Sequence, residues 1–129
     1  MVEGLLYIAH GSKYVEAAVG SARSVRRVTP GMPIAIATDG PAPAEFDEAI
    51  PIDEPDGYRA KIVGMLNSPF DRTLMLDVDT YAAADLSEVF QVLDQFDIAA
   101  AHARRRRRTR RGSRTPPRSP RPHTCRRPA

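Results

Sequence analysis

Two carboxylates stand two residues apart in "RTLMLDVDTYAAADLSEVF" (residues 72–90), where Leu74, Met75 and Leu76 run into Asp77-Val78-Asp79. In an extended chain residues i and i+2 share a face, so this spacing brings Asp77 and Asp79 together, where their like charges repel. A divalent cation removes that repulsion. Hard carboxylate oxygens suit Mg²⁺ or Mn²⁺, which keep positions open for water and substrate phosphates. The chemistry implied is a metal at a strand end, bridging to a diphosphate. The competing reading is chance, since an Asp-x-Asp arises easily in an acidic body and Thr80 would then only cap a strand end. Residues 1–103 contain no His/Cys cluster of the kind that holds zinc.

The elements that must position these residues follow from hydrophobic patterning. "GLLYIA" (4–9) is a continuous apolar run closed by His10-Gly11-Ser12, the mark of a strand buried on both faces. Residues 14–28 place Val15, Ala18, Val19, Ala22, Val25 and Val28 on one helical face, with Arg23, Arg26 and Arg27 outward and Ser12 as N-cap. "IAIAT" (34–38) is a second buried strand ending in Asp39-Gly40, and "AIPI" (49–52) a short edge strand. A helix from about Tyr58 to Asn67 is stopped by Pro69. "TLMLDV" (73–78) is a third strong strand, "DLSEVFQVLDQF" (85–96) a helix with Asp85 as cap and Glu88 completing a capping box, and "FDIAAA" (96–101) a last strand. Apolar strands alternating with amphipathic helices predict an α/β fold with a mainly parallel sheet. Ligands bind such sheets beyond the C-terminal ends of the strands, at a topological switch point. Those ends carry His10-Gly11-Ser12, Asp39-Gly40, Asp77-Val78-Asp79 and His102.

On these residues the chain resembles the nucleotide-diphospho-sugar transferases of the GT-A fold, and within them the glycogenin-like group. The apolar strand, Asp-x-Asp-Thr and acidic turn into Leu and Phe match most specifically. "YRAKIVGMLNSPFDRTLMLD" resembles the lysine-bearing helix that precedes that strand, and "LLYIAHGSKYVEAAVGSARSVRRV" the opening strand, nucleotide-contacting loop and helix. The resemblance covers nearly all of residues 4–102. It implies a Rossmann-like, three-layer nucleotide-binding half and a metal-dependent glycosyltransferase whose cofactor is Mn²⁺ or Mg²⁺. By the same likeness Asp77 and Asp79 bind the metal, and Lys61 reaches the donor's phosphates or sugar. His10, Gly11 and Ser12 would lie near base and ribose, with Asp39 a further nucleotide contact. Lys61, His10 and Asp39 each have a bland counterpart, as a helix, strand-end and turn residue respectively. Tyr58 and Arg59 read as helix-start residues and Asp97 as a local cap or pairing partner. Proteins of this group are about twice as long; their second half builds the acceptor site and adds a later metal ligand, commonly a histidine. The expectation is therefore donor binding with little or no turnover, the acceptor being unspecified.

Charge divides the chain at one point. Residues 1–103 hold seven Lys and Arg against all sixteen Asp and Glu, a net of −9, whereas residues 104–129 hold twelve Arg and no acid. The second segment has five prolines and no aliphatic residue larger than alanine, so it reads as a disordered basic tail. Three readings compete for it: non-specific polyanion or nucleic-acid binding through counterion release, attraction to the acidic body, or a frameshift product of a GC-rich gene. The abrupt change of composition favours the frameshift, with the authentic protein continuing past residue 103 in another frame.

A lone cysteine, Cys125, excludes a disulfide framework. No secretory leader and no run of about 18 apolar residues are found, so a cytoplasmic protein without a membrane span is expected. Two other functions are weighed against transfer. Haloacid-dehalogenase-like phosphatases also place Asp-x-Asp after an apolar strand, but there the strand is the first and a Thr or Val stands where this chain has Tyr81. A nucleic-acid-binding protein acting through the tail would carry an acidic body that repels phosphates and lacks an aromatic stacking surface.

Overall fold

The computed structural model describes residues 1–53 and 57–101. Four strands, β1 (Glu3–Ala9), β2 (Ile34–Thr38), β3 (Glu48–Pro51) and β4 (Arg72–Met75), form one sheet in the order β3-β2-β1-β4. Every pairing is parallel, which establishes the α/β class. The tail and His102 lie outside the described residues.

Alternation along β1 explains both layers. Leu5, Tyr7 and Ala9 point to one face, where α1 (Ser12–Val28) packs through Ala18, Ala22 and Val25, and where Phe46 and Phe90 close the cluster. Leu6 and Ile8 point to the other face, packing with Ala35, Ala37, Ile52 and Ala60 of α2 (Gly57–Leu66). A strand so covered must be apolar at every position, and Leu5, Leu6, Ile34 and Ile36 are fully buried. Each side chain of that size contributes about 1.5–3 kcal/mol by leaving water. Tyr7 meets Phe46 edge to face at 6.0 Å between centroids. Its buried hydroxyl lies 2.8 Å from that of Ser21.

Two glycines permit close approach. A Cβ on Gly64 would lie 2.9 Å from Cδ1 of Ile8, so α2 reaches the sheet only because residue 64 lacks one. At Gly4 it would fall 2.5 Å from the Phe70 ring.

Four expectations need correction. The strand reading of residues 96–101 fails: no sheet pairing forms there, and Phe96 and Ile98 are exposed. Three successive alanines bring little strand propensity. The helix expected over residues 85–96 is a 3₁₀ helix, Ser87–Asp94, with only Phe90 buried. An α-helix draws most of its stability from a packed apolar face, and here Phe90 alone is buried. Asp85 does act at its start, accepting the Ser87 N–H at 3.0 Å, while the N-cap position is Leu86. The N-cap of α1 is Gly11 and not Ser12, with no side-chain cap. Arg26 is not a free outward residue: it donates to Asp47 at 2.7 Å and to the carbonyls of Met32 and Glu45.

Candidate functional site

Strand order fixes where a site belongs. The chain steps from β1 to β2 to β3 in one direction, then returns through α2 to place β4 on the other side of β1. The switch point therefore lies between β1 and β4, and beyond their C-terminal ends such sheets leave a crevice. A cavity of about 700 Å³ opens there, lined by Ile8 and His10 after β1, Lys13 and Tyr14 of α1, Lys61 of α2, and Asp77 and Asp79 after β4.

Asp77 and Asp79 reach it differently from the sequence expectation. Strand β4 ends at Met75, so the two aspartates lie on no extended strand. They sit in a turn in which the Thr80 N–H donates to the Asp77 carbonyl at 3.0 Å. The ladder ends early because β4 pairs only with Glu3–Leu6 of β1, with one more bond from the Leu76 N–H to the Leu6 carbonyl. Both aspartates are exposed, and both line the same cavity.

Lys61 comes from the opposite wall. Its Nζ lies 3.1 Å from Oδ1 of Asp77, with the two side chains 45 % and 66 % exposed. Ala60, buried beside it, docks α2 on the sheet and aims the lysine across the cavity mouth.

His10 links this cavity to a second. Its Nε2 lies 3.4 Å from Oδ2 of Asp39, whose Oδ1 accepts the Gly11 N–H at 2.9 Å. That N–H, first of all, and the neighbouring His10 hold the Asp39 carboxyl below the usual carboxylate range. Gly11, Ser12, Asp39 and Gly40 line a smaller cavity of about 420 Å³ with Val15, Val19 and two prolines. The seven predicted residues thus divide: His10, Lys61, Asp77 and Asp79 share one cavity, and Gly11, Ser12 and Asp39 the next.

Lys13 and Tyr14 join the cavity lining beyond the residues expected from sequence, and the signal for Lys13 is a lysine directly after a strand-closing Gly-Ser. Tyr81, by contrast, is turned away from the cavity, its ring stacked against the Arg27 guanidinium at 5.1 Å.

The donor set can be tested against a metal. Among the described residues no group of three or more His, Cys, Asp or Glu side chains is close enough to form a cluster. The described residues alone therefore build no closed structural site. Two exposed carboxylates fit a hard cation that takes its remaining ligands from water and substrate phosphates.

These features define an α/β protein with an acidic and cationic cavity at the switch point of a parallel sheet. The chain matches no known protein-family model and no curated protein. Among the described residues no helix is long and apolar enough to cross a membrane.

Proposed function

We propose that this α/β body is the donor-binding half of a metal-dependent glycosyltransferase of the GT-A type, taking a nucleotide-diphospho-sugar. One observation carries the reading: residues from three separated segments, His10, Lys61 and the Asp77–Asp79 pair, meet around one cavity at the β1/β4 switch point. The order β3-β2-β1-β4 supports it, because it is the strand order of a Rossmann-like half-sheet. The sequence resemblance supplies the choice of sugar-nucleotide chemistry.

In this reading Asp77 and Asp79 hold Mn²⁺ or Mg²⁺. A cation held there would offset the negative charge of the departing diphosphate. The chain's own groups act around it. The Lys61 ammonium offers the phosphates a second positive charge. Asp39 fixes the His10 ring at the border of the two cavities, where base and ribose would lie. The first turn of α1 has no side-chain cap, so its N–H groups and helix dipole favour an anion nearby.

Equilibrium dialysis against uridine, guanosine and adenosine diphospho-sugars, with and without Mn²⁺, tests the proposal. It requires Mn²⁺-dependent binding of at least one donor. Hydrolysis of a phosphomonoester without donor binding would point to the phosphatase chemistry instead.

A further inference from the structure

We infer that Lys61 is an exchangeable counter-ion of the carboxylate pair: it holds Asp77 until metal and diphosphate load together, then passes to the phosphate. The inference rests on the donor-site reading above and deepens it by giving the site a loading order.

Oδ1 of Asp77 accepts the Lys61 ammonium at 3.1 Å. Mg²⁺ takes carboxylate oxygens at about 2.0–2.1 Å. A cation bound to that same oxygen would lie within about 5 Å of Nζ, whatever the angle between them. Two cations at that distance repel, so each weakens the other's hold on the carboxylate. Lysine is suited to leave, because its charge sits on a flexible four-carbon stem and this side chain is half exposed. The helix need not move. Ala60 is buried and Gly64 lies against Ile8 and Ala37, so α2 stays seated while the side chain turns.

A diphosphate changes the balance. It brings negative charge into a cavity that already holds Lys13, and it offers the Lys61 ammonium a new acceptor. Metal alone meets the ammonium's repulsion with no compensation, whereas metal with diphosphate gives the lysine somewhere to go. Metal and diphosphate thus bind cooperatively, and by linkage each tightens the other by the same factor. The plain alternative is a surface ion pair without consequence, as many are.

The test is calorimetry of Mn²⁺ binding to the full chain at 0.15 M salt, first alone and then with saturating UDP. The proteins are wild type, Lys61→Met, Lys61→Arg, Lys13→Met and Asp79→Asn. Arginines of the basic tail attract UDP by themselves, so only the metal-alone constants and the metal-dependent part of UDP binding are compared.

Lys61→Met is expected to bind Mn²⁺ alone about two- to fivefold more tightly, the scale of a half-exposed ion pair. It should bind UDP in Mn²⁺ more weakly and lose much of the coupling between the two. Lys61→Arg keeps the cation and the weak metal-only affinity. Lys13→Met, a neutralised neighbour that is not paired with Asp77, should move metal-only affinity less than Lys61→Met. Unchanged or weaker metal-only binding by Lys61→Met overturns the exchange, as does an equal gain in Lys13→Met. If wild type and Asp79→Asn behave alike, or neither binds Mn²⁺ under any condition, the donor-site reading itself fails and the exchange falls with it.

Discussion

The Gly11 N–H donates to Oδ1 of Asp39 at 2.9 Å, tying the turn out of β1 to the end of β2. Both cavities are built around this bond, since His10 lines one and Gly11 and Asp39 the other. The turn depends on a backbone conformation, φ 89° and ψ 152°, that only glycine adopts without strain.

Gly11→Ala should therefore destabilise the protein by about 1–3 kcal/mol. Nothing lies within 4 Å of the added methyl group, so the loss is conformational and not steric. Denaturant unfolding measures it. An unchanged midpoint would mean that the turn adapts at no cost.

Asp39 predicts an acid-sensitive stability. Its carboxyl is held below the usual range by the Gly11 N–H and, less strongly, by His10. A carboxyl with a folded pKa below its unfolded value, about 3.9, stabilises the fold above that value. The contribution is lost as pH falls through the folded pKa. Asp39→Asn, which cannot ionise, should lose less stability than wild type between pH 6 and pH 3. Glu45, held down by Arg23, and Asp85, held down by the Ser87 N–H, add to the same trend and remain in the variant. Parallel loss in both proteins would deny Asp39 any part in it.

Gly64→Ala should push α2 off the sheet. The methyl group would meet Cδ1 of Ile8 at 2.9 Å, Cγ1 at 3.0 Å and Cβ of Ala37 at 3.3 Å. Overpacking of this kind costs about 1–3 kcal/mol, offset in part by up to about 1 kcal/mol of better helix propensity. Because α2 carries Lys61, a shifted helix should also weaken Mn²⁺-dependent donor binding. Full stability with full binding would show that Ile8 yields freely.

The central elements were legible because burial on two faces leaves a plain trace. "GLLYIA" and "IAIAT" are apolar throughout, and α1 repeats its small apolar residues at helical spacing. The C-terminal part was not, because its local patterns depend on neighbours. "TLMLDV" reads as one strand through Val78, yet the ladder stops at Met75, so a turn and not the pleat brings Asp77 and Asp79 to the cavity. "FDIAAA" has a strand's hydrophobicity, but a strand also needs a partner, and none pairs with it. The residues that line the two cavities were visible as polar interruptions at the ends of apolar runs. Their division between two cavities was not, because adjacent residues such as His10 and Gly11 face different sides of one turn.

The most direct test of the central claim compares wild type with Asp79→Asn in binding a nucleotide-diphospho-sugar, with Mn²⁺ and with EDTA. The account predicts that wild type binds a donor at least tenfold more tightly in Mn²⁺. That gain should vanish in Asp79→Asn, while the fold, followed by circular dichroism, is unchanged because Asp79 is exposed. Donor binding that ignores both the metal and the substitution would contradict a carboxylate-held cation at the β1/β4 switch point.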